Sequence, residues 1–190
     1  MLILIVGIIV FLGAHTLVTR RELRAELIAK FGEGPYKGLH SLVSLVGLAL
    51  IVWGFSRYRA EDWITVWTPP TWSRHVTIVL MWFAFVALAC MNPAPSRIRG
   101  WLRHPMLTAV KIWALAHLIA NGDLGGMLLF ASFLAWAVYD RIAVKRRGDL
   151  GAPRLASFTR ADGVNLAVGT LAYAAMIFLH PWLIGVSVVG

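Results

Sequence analysis

Six histidines, His15, His40, His75, His104, His117 and His180, are the residues of this chain with the widest choice of chemistry. An imidazole can ligate a metal, move a proton or hydrogen-bond a neighbour, and few other groups compete with it here. Cysteine occurs once, as Cys90, and aspartate and glutamate together number nine, nearly all outside the apolar runs. A single thiol excludes an intramolecular disulfide and a cysteine-rich metal site; in its apolar run Cys90 reads as a small buried hydrophobe. So few carboxylates leave no basis for a carboxylate-bridged di-metal centre or for the acidic relay of a proton-coupled transporter. No Gly-rich phosphate loop, no Gly-x-Ser-x-Gly elbow and neither His-Glu-x-x-His nor His-x-x-Glu-His occurs. Histidines in an apolar helical setting, without thiols or carboxylates, suit haem, whose iron takes two imidazoles and whose macrocycle is apolar. Zinc would want four ligands converging at one depth, whereas these histidines are scattered from span edges to span interiors.

The elements that must position them are membrane helices. Of 190 residues, 59% are apolar and 14% charged, with a mean hydropathy of +0.73; a soluble domain carries about 25% charge. The net charge of +9 is no nucleic-acid signal, because the basic residues lie between the hydrophobic runs. There they set orientation and meet anionic headgroups. Spans are expected at residues 1–18, 36–55, 75–91, 105–120, 125–139 and 164–179. The first is read as a retained helix and not a signal peptide, since Arg20, Arg21 and Arg24 follow the apolar run instead of preceding it. Residues 20–31 are charged and helix-favouring, so a helix along the membrane surface is expected there, ended by Gly32-Glu33-Gly34-Pro35. Residues 56–74, with Trp63, Trp67 and Trp72 beside Pro69 and Pro70, are expected to rest irregularly in the headgroup layer. The fourth span is short of the roughly 20 residues that normally cross.

Lysine and arginine divide sharply between the two sides. The first, third and fifth loops hold fourteen: Arg20, Arg21, Arg24, Lys30, Lys37, Arg97, Arg99, Arg103, Arg141, Lys145, Arg146, Arg147, Arg154 and Arg160. The second loop holds three, Arg57, Arg59 and Arg74, and the fourth none. By the positive-inside rule the odd loops are cytoplasmic and both termini lie on the far side, the periplasm of a bacterium. The expected fold is all-α: a polytopic membrane bundle of six transmembrane helices, both termini periplasmic, one domain over 1–190, in the bacterial inner membrane. Its expected surroundings are the lipid bilayer and no nucleic acid.

Within this frame the fourth helix concentrates the polar residues. It opens on Arg103-His104-Pro105, a proline-marked helix start, and closes on Asn121-Gly122-Asp123, a turn signal. His104 and His117 lie 13 residues apart, about 20 Å along one helix, so they cannot clamp one iron together. His117 reads either as a metal ligand or as an interhelical hydrogen-bonder, and His104 as an imidazole at the interface. Lys111 either snorkels to the headgroups or pairs with an anionic group. His40, at the start of the second span, reads as solvated. His180, before Pro181, reads as a helix end, and Asn121, Asp123 and Asn165 fall near span ends. Trp82, Trp101, Trp113 and Trp136 read as lipid anchors or packing.

Taken together, Arg103-His104-Pro105, Trp113-Ala114-Leu115-Ala116-His117, Asn121-Gly122-Asp123, Phe11-Leu12-Gly13-Ala14-His15, Gly32-Glu33-Gly34-Pro35-Tyr36-Lys37 and His180-Pro181-Trp182-Leu183-Ile184-Gly185 resemble the NnrU family. Its membrane proteins are associated with denitrification genes and are related to the plant and algal 15-cis-zeta-carotene isomerases. The resemblance covers nearly the whole chain and implies a haem b with two histidine ligands. His117 matches the histidine of the Trp-x-x-x-His turn and His15 that of the first span. Counted along the helices, His15 is about 20 Å from its periplasmic end and His117 about 18 Å from its cytoplasmic end. Tilt can close the difference, and His15 with His104 stays open as an alternative. Arg20, Arg21, Arg103 and Lys111 are the cations available for haem propionates; a topological role explains the arginines equally well. The function implied is support of nitrogen-oxide metabolism, by electron transfer or nitric oxide handling with a redox partner. A second reading is haem-dependent cis–trans isomerisation of a hydrophobic polyene. Against it, Ala114 stands where the plant-type isomerases are expected to carry a cysteine. A third is a haem-free assembly or scaffold protein whose histidines only join helices. The charge asymmetry generates the first prediction: a reporter fused after Gly190 should be active only if it works in the periplasm. Signal from a cytoplasm-only reporter at that position would reverse the topology.

Overall fold

A computed structural model of the chain describes residues 1–188. These residues form eight α-helices: α1 (Leu2–Thr19), α2 (Arg21–Phe31), α3 (Glu33–Glu61), α4 (Thr71–Ala89), α5 (Arg97–Leu102), α6 (Pro105–Ala120), α7 (Leu124–Arg146) and α8 (Arg160–Ile184). Among the described residues five helices, α1, α3, α4, α7 and α8, are long and apolar enough to cross a membrane. Where six spans were expected, α6 falls short: its 16 residues reach about 24 Å. The chain forms two compact units, residues 1–68 with 122–143, and residues 69–121 with 144–190. Two of these junctions fall at Thr68-Pro69 and Asn121-Gly122, and the third inside α7.

In the first unit α1 and α3 run antiparallel with their backbones in close contact. An added Cβ on Gly7 would stand 2.6 Å from the Ile51 backbone nitrogen, and one on Gly47 would stand 2.7 Å from that of Phe11. One on Gly54 would meet the Leu4 backbone. Lipid tails are as apolar as leucine, so helices in a bilayer gain little by burying hydrocarbon on each other. They associate through close packing, which small residues permit. The same three contacts set the register: Leu4 lies opposite Gly54, Gly7 opposite Ile51 and Phe11 opposite Gly47. One turn beyond Phe11, His15 comes level with the His40–Ser44 turn of α3.

α2, the charged stretch expected at the surface, is helical and has no buried residue. The linker expected to be irregular over 56–74 is shorter, because α3 continues to Glu61. The Arg57–Glu61 ion pair, Nη2 to Oε1 2.6 Å one turn apart, supports that extension. Tyr58, fully buried, then fastens the linker: its hydroxyl donates to Ile64 O (3.3 Å) and accepts from Ile64 N (3.2 Å). Backbone bonds join the linker to the Asn-Gly-Asp turn, Val66 N to Gly122 O (2.7 Å) and Leu124 N to Ile64 O (2.9 Å). Buried Asp123 accepts from Gly126 N at 2.7 Å and caps α7. Gly125 leaves the Tyr58 ring its room, since any Cβ there would strike it.

In the second unit α4 packs on α6 and α8. Thr77 Oγ1 donates to Ala116 O (2.8 Å), Tyr173 Oη to Ile78 O (3.0 Å) and Trp82 Nε1 to Thr170 Oγ1 (3.0 Å). Gly169 faces the Val86 backbone. A short helix, α5, stands where a plain loop was expected, and one carboxylate accounts for it. Asp162, 2% exposed, accepts from Ser96 Oγ (2.7 Å), Arg97 N (3.1 Å), Ile98 N (2.8 Å) and Thr159 N (2.7 Å). It thus satisfies the amides that open both α5 and α8. α8 does not stop at His180 as the His-Pro pair suggested. It carries Pro181 inside and ends at Ile184, before Gly185 in a left-handed cap (φ 75°).

Gly54→Ala should lower thermal stability in detergent by about 1–3 kcal/mol, the usual cost of overpacking. Gly13→Ala, where nothing lies within 4 Å, should be neutral or stabilising, alanine being about 1 kcal/mol the better helix former. Thermal unfolding of the two variants side by side checks the pair; equal stability would dismiss the contact.

Candidate functional site

In the first unit the α1–α3 register brings His15 into an aromatic cluster. Its Nδ1 lies 2.7 Å from Phe11 O, one turn earlier on α1. A carbonyl oxygen only accepts, so Nδ1 carries the proton and the lone pair sits on Nε2. This is the arrangement by which ligating histidines are usually held. The ring stacks on Phe11 (centroids 4.2 Å apart) and takes the edge of Trp136 from α7 (5.8 Å). His40 of α3 lies 5.5 Å away, tilted by 60°. His40, expected to be solvated, is therefore half-buried against His15 and stacked with Tyr36 (6.3 Å, 12°). The Arg24 guanidinium stands over the Tyr36 ring at 5.6 Å. Three donors here, Tyr36 Oη, Ser44 Oγ and Trp136 Nε1, are buried and have no hydrogen-bond partner.

His117 lies in the second unit and repeats the His15 device. Its Nδ1 is 2.8 Å from Trp113 O, and Asn121 Nδ2 donates to the His117 carbonyl at 2.7 Å. The Trp-x-x-x-His spacing of α6 thus has the same local meaning as Phe11-x-x-x-His15 in α1: a carbonyl one turn back orients the imidazole. His180 Nδ1 instead meets Val186 O at 2.8 Å, beyond the end of its helix.

The remaining candidates take other positions. His104 is the residue before α6, and its Nε2 is buried without a hydrogen bond. It lies against Gly151, where an added Cβ would be 2.7 Å from it, so backbone fills the space an iron would need. Arg103, in the left-handed region at φ 62°, accepts from Ala152 N (2.8 Å) through its carbonyl and donates Nη1 to Leu150 O and Ala152 O (3.3 Å each). Its guanidinium is thereby engaged with the 150–152 turn. Arg20 and Arg21 are exposed where α1 passes into α2, and Lys111 is half-buried in α6. His75 and Arg74 line a cavity of about 460 Å³ with Pro70, Ser73 and Ala120. Cys90 is fully buried. Among the described residues no three His, Cys, Asp or Glu side chains gather as a metal site.

The family described as NnrU protein matches residues 3–188. The chain belongs to the NnrU family. No curated protein and no solved structure matches it. In this NnrU-family chain the residues that sequence reasoning passed over are Tyr36, His40 and Trp136. A signal was present for two of them: Tyr36, His40 and Ser44 recur every fourth residue and form one polar row along the start of α3. Trp136 carries no such mark.

Loss of Lys111 should matter less to folding than loss of His117. The four-carbon stem of Lys111 lets the ammonium reach the interface, whereas an imidazole stays near its backbone. Lys111→Met should leave the yield from membranes, and any bound cofactor, nearly unchanged. Disappearance of a cofactor absorption band in that variant would make Lys111 a direct partner.

Proposed function

We propose that this NnrU-family protein is a multi-pass protein of the bacterial inner membrane that binds haem b through histidine and supports nitrogen-oxide metabolism by membrane redox chemistry. The observation that carries the reading is the environment of His15: an imidazole with Nδ1 bound to a carbonyl, Nε2 bearing the lone pair, and Trp136, whose buried Nε1 is unpartnered, packed against it. These residues fit a haem, which needs a neutral imidazole nitrogen, aromatic and aliphatic walls, and donors for its acidic groups. His117, held through Nδ1 in the same way, is the second proposed axial ligand. Arg20 and Arg21 lie exposed where α1 passes into α2. When bound, the haem would supply a one-electron centre. The protein's own part is to fix the imidazole tautomers and keep water away. The proposal includes α6 as a sixth, short span, with both termini periplasmic, as the lysine and arginine distribution supports. Isomerase chemistry is less well supported, since Ala114 is fully buried and offers no thiol.

Protein purified from membranes should carry one haem b, low-spin if both ligands are imidazoles. His15→Ala and His117→Ala should each abolish or shift the Soret band, and His75→Ala should leave it intact. Absorption spectra of the four proteins, before and after reconstitution, are the measurement. A wild type that stays colourless after reconstitution would leave the scaffold reading in place.

A further inference from the structure

We propose that Tyr36, His40 and Trp136 form the carboxylate-binding end of the His15 site, receiving the propionates of a haem held there; the proposal rests on the haem reading above. Tyr36 and Trp136 each keep a polar hydrogen out of water without using it: Tyr36 Oη and Trp136 Nε1 are buried and unpartnered, and Tyr36 as a whole is 9% exposed. Indole Nε1 can only donate, and buried donors are almost always paired, so an acceptor is missing from this part of the fold. The missing acceptor is anionic. Arg24 places its positive charge over the Tyr36 ring, and His40, stacked on Tyr36, turns toward His15. The nearest acid of α3, Glu33, is already paired with Lys37 at 2.8 Å on the exposed surface. Buried donors near a guanidinium suit a carboxylate, whose hydrogen bonds are charge-assisted. Protohaem joins iron and two carboxylates in one molecule, so donors gathered around a coordinating imidazole can serve both ends. Arg20 and Arg21, exposed in water, would add attraction but little geometric selection.

The test compares protohaem with its dimethyl ester, which keeps the iron and macrocycle and loses the negative charges. Full-length protein in detergent is titrated with each, following the Soret band. Wild type should bind the free acid at least about tenfold more tightly. A Tyr36→Phe/Trp136→Phe double variant and His40→Leu should bring that ratio close to one, through weaker binding of the acid with the ester unchanged. His75→Ala should keep the wild-type ratio. Equal binding of acid and ester by the wild type would overturn the carboxylate assignment while leaving haem binding intact. Loss of affinity for both ligands in parallel would also overturn it, assigning the three residues to packing. No binding of either ligand by the wild type would overturn the haem reading and this inference together.

Discussion

The contact between α1 and α3 is where the first unit meets the constraint that governs helices in lipid. Around a spanning helix a bilayer is hydrocarbon, so apolar side chains gain little by leaving it, and backbone proximity must supply the attraction. Gly7, Gly47 and Gly54 allow that proximity. Because each glycine faces a particular backbone position on the other helix, they also fix the register. From that register follows the placement of His15 beside His40, on which Tyr36 stacks. A slide of one turn along either helix would separate the imidazoles and leave the glycines opposite side chains. Packing and site therefore depend on one set of contacts.

The second unit meets a different requirement, the pairing of helix ends. Pro93 and Pro95 end the run after α4, and the chain must start α5 within a few residues. Asp162 takes the opening amides of α5 and the Thr159 amide before α8 on a single buried carboxylate, with Ser96 bridging to it. Stranded amides at a membrane-embedded or buried helix end are costly, which gives one acid in an acid-poor chain a structural task. It also explains why Asp162 belongs to no candidate site: its acceptor capacity is consumed by the caps.

His15 and His117 share a local device that needs no neighbour. In a helix the carbonyl four residues back is normally bound by the backbone amide, yet its second lone pair remains for an imidazole Nδ1. Phe11 and Trp113 occupy those positions and their rings lie against the histidines they orient. Tautomer and ring direction are thereby set from within α1 and α6. His104 has no such carbonyl behind it, stands before its helix begins, and is packed against the Gly151 turn instead. The difference separates a prepared imidazole from a packed one within one stretch of chain.

What the sequence by itself determined is set by composition and local pattern. Long apolar runs with basic residues between them require membrane helices, and proline at the opening of α6 and Asn-Gly-Asp at its close mark its limits to the residue. The i and i+4 spacing of aromatic and histidine was legible too, since it lies within single helices. Helix ends were less so. α3 outran its apolar stretch on an ion pair and a buried tyrosine, and α8 ran through a proline, because hydropathy reports the lipid-facing part of a helix and not its hydrogen bonding. Only the tertiary structure decided that His40 and Trp136 meet at His15, with Tyr36 stacked on His40. These residues come from three helices, and the meeting of His15 with His40 depends on which glycine faces which backbone. A one-dimensional pattern does not carry that information, because the interhelical register is a property of two surfaces fitted together.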